Sequence, residues 1–239
     1  MIEAFNLLER AFIDLKIRYD QKTLQKFETY MQLVLDWNQK VNLTSITNER
    51  EFVIKHFVDS ILCAELPALA KAKTIIDIGT GAGFPGIPLA LIYPDIKFVL
   101  MDSVNKKLII VKEILTKLGL KNVTLIHGRA EDLGHQKQHR EHYDICVSRA
   151  VARLQVLSEY CLPFVKKEGY FIAYKGREIK QELADSLKAI NILGGEIDEI
   201  SLFNMNDLEM AHQIIYIKKV ADTPEKYPRK AGTPQKEPL

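Results

Sequence analysis

Lys73-Thr-Ile-Ile-Asp-Ile-Gly-Thr-Gly-Ala-Gly-Phe-Pro-Gly86 decides the fold, because an apolar run of strand length enters a glycine-rich turn and then a segment of helical pattern. Asp77 precedes the turn, and Phe84 follows its three glycines. Gly79, Gly81 and Gly83 allow sharp backbone conformations and let a ligand approach without meeting a Cβ. A second apolar run, Lys97-Phe-Val-Leu-Met-Asp102, ends in an acid. It lies about twenty residues on, the spacing at which such folds set a carboxylate against ribose hydroxyls. The two runs together predict a cofactor that carries a ribose.

Gly81-Ala-Gly-Phe-Pro-Gly86 also matches the glycine pattern used for dinucleotides. A pyrophosphate, however, binds the free backbone N–H groups at the start of a helix. Pro85 and Pro88 remove two of them. S-adenosylmethionine has a ribose and an adenine but no phosphate, so a proline-rich helix start costs it nothing. Its ammonium group also suits Asp77. The residues therefore favour S-adenosylmethionine, with a nicotinamide dinucleotide as the alternative.

The chain has 239 residues, 47% hydrophobic and 27% charged, enough for one well-buried α/β domain and a smaller appendage. No stretch approaches the roughly 18 apolar residues of a membrane span, and the N-terminus lacks a signal-peptide layout. A monomeric cytoplasmic protein without membrane contact is expected. Cys63, Cys146 and Cys161 form no CxxC pair and read as small, reduced, buried hydrophobes. Net charge is only +2, so any affinity for nucleic acid must come from a local basic patch.

Three segments emerge: a helical cap over residues 1–70, a Rossmann-like domain over 71–220, and a basic, proline-rich tail over 221–239. In the cap, Leu24, Phe27, Tyr30, Met31, Val34 and Leu35 recur at helical spacing. Trp37-Asn-Gln-Lys-Val-Asn-Leu-Thr44 interrupts that pattern, and a second helix is expected through Phe52, Val53, His56, Phe57 and Ile61. His56 lies on its apolar side and reads as a hydrogen-bonded core histidine. Strands are expected near 74–78, 97–102, 122–127, 143–148 and 169–174 in a mostly parallel sheet. Between the second and third, a helix with Leu108, Val111, Leu115 and Leu118 on its apolar face should be capped by Asn105 and stopped by Gly119. A further helix over 177–193 should precede an antiparallel pair, Glu196–Phe203 with Ile214–Val220. That is the α/β arrangement of class I, Rossmann-like S-adenosylmethionine-dependent methyltransferases, here with a helical N-terminal extension.

Six blocks then carry a closer resemblance. They are Asp77-Ile-Gly-Thr-Gly-Ala-Gly-Phe-Pro-Gly-Ile-Pro-Leu89, Trp37 to Thr44, His56-Phe-Val-Asp-Ser60, Gly128-Arg-Ala-Glu131, Ser148-Arg-Ala-Val-Ala152 and Tyr227-Pro-Arg-Lys-Ala-Gly-Thr-Pro234. In this order the chain resembles the bacterial 16S ribosomal RNA guanine-N7 methyltransferases, the glucose-inhibited division protein B family, over nearly its whole length. The resemblance implies S-adenosylmethionine as cofactor, held at Gly79, Phe84, the stretch Asp102, Ser103 and Val104, and Ala130, Glu131 and Arg149. It implies a guanine in the decoding-region loop of 16S rRNA, free or within the small ribosomal subunit, as the substrate. Lys106-Lys-Leu-Ile stands where Lys-Arg-aromatic is more usual, a conservative departure.

The residues fit that chemistry on their own terms. Asp102 ends a strand at the carboxyl edge, where it can accept from ribose hydroxyls, and Ala130 leaves room for an adenine beside Glu131. The guanidinium of Arg149 could bind the methionine carboxylate. Neither the Asn/Asp-Pro-Pro-aromatic clamp of amine methylation nor a suitably placed cysteine for pyrimidine C5 is present. Guanine N7 has an in-plane lone pair and loses no proton on methylation, so no acid–base catalytic residue is expected; alignment in a closed cleft suffices. RNA contacts are expected from Arg149, Arg153, Lys175 and Arg177 around the cleft and from Arg229 and Lys230 in the tail. His135, His139 and His142 share a helical spacing that suggests a metal site, but their hydrophilic surroundings read as a solvated loop and no metal is expected. A nicotinamide-dependent oxidoreductase, or a cofactor-sensing RNA- or ribosome-binding factor without catalysis, is the alternative.

Overall fold

Ala4, Leu8, Ala11 and Phe12 line one side of helix α1 (Ile2–Asp14) and are all buried in the computed structural model, which describes residues 2–149, 151–176, 179–205 and 210–239. The same spacing builds α2 (Gln21–Asn38), whose buried face is Leu24, Phe27, Tyr30, Met31 and Val34. Asp20 caps it by accepting the Thr23 amide at 2.8 Å, satisfying one orphan donor of the first turn. Asn38 then organises the exit turn, its Oδ1 accepting from the amides of Leu43 and Thr44 at 2.8 and 2.9 Å.

The second helix expected in the cap is a composite. Helix α3 (Glu49–Phe52) widens into a π-helical turn (Val53–Val58), tightens again in α4 (Asp59–Ile61), and passes through a 3₁₀ turn (Leu62–Glu65) to α5 (Pro67–Lys71). The widening shows in the Asp59 amide, which reaches back to Ile54 O. Such turns are frequent at functional sites, and this one sets His56 and Asp59 into the same cavity.

Seven strands follow: β1 (Thr74–Ile78), β2 (Lys97–Asp102), β3 (Val123–His127), β4 (Tyr143–Arg149), β5 (Val165–Lys175), β6 (Gly195–Met205) and β7 (Met210–Lys219). Their order is β3-β2-β1-β4-β5-β7-β6. The first five run parallel, and β7 inserts antiparallel between β5 and β6. Helices α6 (Gly86–Ile92), α7 (Asn105–Leu118), α8 (Ala130–Leu133), α9 (Leu154–Cys161) and α10 (Lys180–Ile192) connect the strands, and α11 (Thr233–Lys236) lies near the C-terminus. The α/β class and its antiparallel end are as expected. Strand β5 begins earlier than expected because Val165 pairs with Tyr143 before a bulge, where Glu168 takes φ 66°, resets the register to Tyr170 against Ile145. Asn105 is the first residue of α7 and not its cap, since Val104 occupies the capping position without a side-chain bond. Gly119 ends the helix at φ 64°, as expected.

From β1 the chain winds outward through β2 to β3, then returns to the other side of β1 as β4. The crevice at the carboxyl ends of β1 and β4 is thus the switch point at which doubly wound sheets bind ligands. The tail folds back on the domain. The Lys219 ammonium, wholly buried, donates to Glu141 at 2.8 Å, Leu162 O at 2.9 Å, Val165 O at 3.1 Å and Thr223 Oγ1 at 2.9 Å. Arg140 donates to the carbonyls of Gly134, Thr223, Pro224 and Tyr227. No helix among the described residues is long and apolar enough to cross a membrane.

Candidate functional site

The glycine turn leaves β1 with the amides of Gly79 and Thr80 both donating to Met101 O, at 2.9 and 3.0 Å, which ties it to the neighbouring strand. Its three glycines do different work. Gly81, at φ 61°, faces open space: a Cβ there would meet nothing nearer than Gly79 O at 4.0 Å. Gly79, at φ 75°, is covered by Val151, whose methyl would lie 2.5 Å from a Cβ. Gly83 is turned toward the cap, where a Cβ would come within 2.7 Å of Tyr30 Oη. Of the three, only Gly81 has open space where a side chain would stand.

Asp102 stands beside it. One carboxylate oxygen accepts the Gly81 amide at 2.9 Å and the other the Val104 amide at 2.8 Å, leaving each with a lone pair. Ser103 and Val104 are exposed and continue this wall. Ala130 and Glu131 begin α8, past the end of β3. The Glu131 carboxylate is nearly buried and accepts the Gly232 amide of the tail at 3.1 Å, a link the sequence did not announce.

Asp77 lies beneath the turn. Its side chain is fully buried, away from the open side of the crevice. Oδ2 instead accepts the Thr80 hydroxyl at 2.7 Å and the Gly86 amide at 2.9 Å, bracing the turn from below. Oδ1 is buried without a protein partner. Burial pushes the carboxyl up to about 7, against the opposing bonds from Thr80 and Gly86.

Arg149 ends β4 but does not hang free in the cleft. It donates to Asp59 Oδ2 at 2.7 Å, to Lys55 O at 3.0 Å and to His56 Nδ1 at 3.2 Å, and its guanidinium lies 5.2 Å from the Phe84 ring centre. Phe84 in turn stacks on His56, with centroids 4.4 Å apart and planes 11° from parallel. Asp59, buried, also accepts from His212 Nδ1. Burial alone would raise the Asp59 carboxyl, but the His212 bond and Arg149 outweigh it and hold it below its ordinary value. Ile46, Lys55, His56, Asp59, Arg149, Tyr174, Lys175, Gly176 and His212 line a cavity of about 410 Å³ here. Sequence reading does not single out Ile46, Lys55, Tyr174, Gly176 or His212; Asp59 lies in a quoted motif, and an acid on the apolar side of a helix is its only signal.

His56 is hydrogen-bonded through both nitrogens, as its apolar position suggested. Nδ1 accepts from Arg149, so Nε2 carries the proton and donates to Thr44 Oγ1 at 2.8 Å. Burial, then Arg149, push the imidazole down to about 3 from an ordinary 6.5. The unfolded chain therefore takes up this proton first, and the stability contributed by neutral His56, full above pH 6.5, is lost as pH falls from 6.5 toward 3. His212 has the opposite sign, since the Asp59 bond raises it and its contribution fades as pH rises. Urea midpoints should fall more steeply below pH 6.5 in the wild type than in His56→Gln; equal slopes would rule out a buried neutral imidazole.

Three residues expected to contact RNA are engaged within the protein. Lys175 is spent on Glu182, at 2.6 Å, and Ala152 O, at 2.7 Å. Arg149 is committed to Asp59 and its neighbours as above. Arg229 forks onto the buried Glu159 carboxylate through Nε and Nη2, at 2.9 and 2.7 Å. Arg149 and Arg229 are drawn inward by acids 90 and 70 residues away, Lys175 by one only seven residues on. Arg153 and Lys230 are exposed, and Arg177 lies outside the described residues. In the histidine loop, His135 bonds to Pro228 O at 2.6 Å and His139 to Tyr143 Oη at 2.8 Å, so the loop anchors the tail and β4. No cluster of metal-binding side chains occurs among the described residues.

Comparison with known proteins places the chain in a family. Residues 23–211 match the family model described as GidB, rRNA small subunit methyltransferase G. A ribosomal RNA small subunit methyltransferase G from Alkaliphilus metalliredigens (strain QYMF) is 46% identical over 238 residues, covering 100% of both chains. One of the same name from Clostridium botulinum (strain Loch Maree / Type A3) is 44% identical over the same span. Among solved structures, a putative O-methyltransferase from Klebsiella pneumoniae (TM-score 0.55, 14% identity, 90% of this chain and 97% of that one) shares the fold. So does the O-methyltransferase TomG from Streptomyces achromogenes (TM-score 0.55, 13% identity, 88% and 94%). With the match spanning most of the sequence and the relatives aligned end to end, the chain belongs to the GidB family, rRNA small subunit methyltransferase G.

Proposed function

We propose that this chain, acting as a cytoplasmic monomer, methylates N7 of a guanine in the decoding-region loop of 16S rRNA, free or within the small ribosomal subunit, with S-adenosylmethionine as donor. One observation carries the cofactor reading: the start of α6 has no amides to spare for a phosphate. Pro85 and Pro88 have none, the Gly86 amide is held by Asp77 at 2.9 Å, and that of Ile87 by Gly83 O at 2.7 Å. Beside this phosphate-poor helix start, Asp102 offers unshared lone pairs next to the uncovered Gly81. A nucleoside without a pyrophosphate fits that donor set, and a dinucleotide does not.

Asp102 would hold the ribose, Ser103 and Val104 would flank the adenine with Ala130, and the Gly81 backbone would lie against the methionine end. When bound, the group supplies a methyl carbon made electrophilic by its sulfonium. The chain's own residues bind and orient. Asp77, through Thr80 and Gly86, keeps the turn in shape, and Arg149, fixed by Asp59, lines the cavity beside it. Guanine N7 brings its own lone pair and sheds no proton, so none of these residues has to act as a base, and the rate enhancement comes from alignment.

The test is transfer of labelled methyl from S-adenosylmethionine to small subunits lacking the mark, followed by strand cleavage selective for N7-methylguanine. Label at a single guanine is the expected result. Binding of S-adenosylhomocysteine without transfer to subunits or their RNA would overturn it in favour of a non-catalytic sensor.

A further inference from the structure

We propose that the cavity lined by His56, Asp59, Arg149, Tyr174, Lys175 and His212 receives the target guanine, and that His212, oriented by Asp59, donates from Nε2 to guanine O6 and so selects guanine. The proposal rests on the methyl-transfer reading above and names the part of that site which reads the base.

The cavity's position argues for it. It opens at the carboxyl ends of β4 and β5, and two of its residues, His56 and Arg149, touch Phe84 of the glycine turn, at 4.4 and 5.2 Å between centres. A base held there lies next to the cofactor turn. Its volume, about 410 Å³, falls within the roughly 300 to 1,000 Å³ of small-ligand sites.

The donors around it are largely committed. Tyr174 Oη donates to Ser60 O at 2.7 Å, Lys175 to Ala152 O and Glu182, and Lys55 pairs with Glu51 at 3.4 Å. Arg149 is held by Asp59, Lys55 O and His56. In His212 the bond to Asp59 occupies Nδ1 and fixes the ring, which makes Nε2 the nitrogen available to a ligand. That side chain remains about one-third exposed, at 34%. The Asp59 bond raises the imidazole's pKa against burial, Arg149 and Lys55, favouring the doubly protonated ring in which Nε2 is a donor.

Base chemistry supplies the rest. Guanine carries the O6 and N7 acceptors side by side on one edge, whereas adenine places an amino donor where O6 stands. A donor at O6 leaves N7 free toward the cofactor turn and sets donor against donor for adenine. Asp59 is then a positioning residue, acting through the imidazole.

The experiment crosses protein and substrate changes. Small subunits carrying either the target guanine or 2-aminopurine, which keeps N7 but lacks O6, are methylated by wild type, His212→Ala and His212→Gln, with S-adenosylhomocysteine affinity measured by calorimetry. The wild type should prefer guanine by about tenfold in kcat/KM, the worth of one base-edge hydrogen bond. His212→Ala should lose about tenfold on guanine and show no preference, with cofactor affinity unchanged, and His212→Gln, which keeps an amide donor, should retain part of the preference. Undiminished preference in His212→Ala would overturn the assignment. If His212→Ala also loses cofactor binding, His212→Gln decides: with affinity intact, a partial preference supports the proposal and an undiminished one overturns it. Cofactor binding by the wild type with no transfer even to guanine would remove the methyl-transfer reading and this proposal together.

Discussion

Asp102→Ala should weaken binding of S-adenosylmethionine and S-adenosylhomocysteine by roughly 100- to 1,000-fold, about 3 to 4 kcal/mol, the worth of two charge-assisted hydrogen bonds to ribose hydroxyls. The same carboxylate also holds the Gly81 and Val104 amides, at 2.9 and 2.8 Å, so its loss loosens the turn as well as removing the ligand contact. Asp102→Asn separates the two effects. An amide keeps one acceptor for a backbone N–H but presents a donor where the other oxygen stood, so an intermediate loss is expected. Calorimetry is the readout, and an Asp102→Ala chain that binds within threefold of wild type would remove the ribose from this residue.

Arg229→Ala should destabilise the fold by about 3 to 5 kcal/mol, because it leaves a buried carboxylate without its partner. Glu159 is almost wholly enclosed, its side chain 1% exposed, and it accepts from the Arg229 backbone amide as well as from the guanidinium. For a chain of this length each kcal/mol moves the melting temperature by about 2 to 4 °C, so a fall of roughly 10 °C is expected. Adding Glu159→Gln removes the stranded charge and should recover part of the loss. A fall of only a degree or two would mean that the pair does not hold the tail. Since Gly232 of the same tail donates to Glu131 at 3.1 Å, releasing it should also relax the loop after β3, and cofactor affinity should drop modestly in the same variant.

The difference between Arg229 and Arg153 shows where sequence reading stops. Both are basic residues near a block that reads as nucleic-acid contact, yet Arg229 is drawn to Glu159, 70 residues away, and Arg153 stays in solvent. Nothing local distinguishes them, because a salt bridge is set by which distant acid the fold brings within reach. Lys175 is also taken by an acid, but by a near one, Glu182, seven residues on in the first turn of α10. Asp77 departed for a related reason: an acid beside a glycine turn reads as a ligand contact, but on a central strand it faces inward, and its carboxylate is used to shape the turn.

The sheet and the place of the cofactor turn are legible in the sequence, because both rest on short-range rules. Apolar runs of strand length, helical periodicity from Leu108 to Leu118, a positive-φ glycine at 119 and an acid at the end of β2 are each read within one element. The composition of the cavity is a product of the fold. Asp59 comes from the cap, Arg149 from β4 and His212 from β7, and the hydrogen bonds that join them span 90 and 153 residues of chain. Such a constellation has no period and no spacing. It exists because β7 inserts between β5 and β6 while the π-helical turn of the cap packs at the carboxyl edge, and burial then obliges the three charges to satisfy one another.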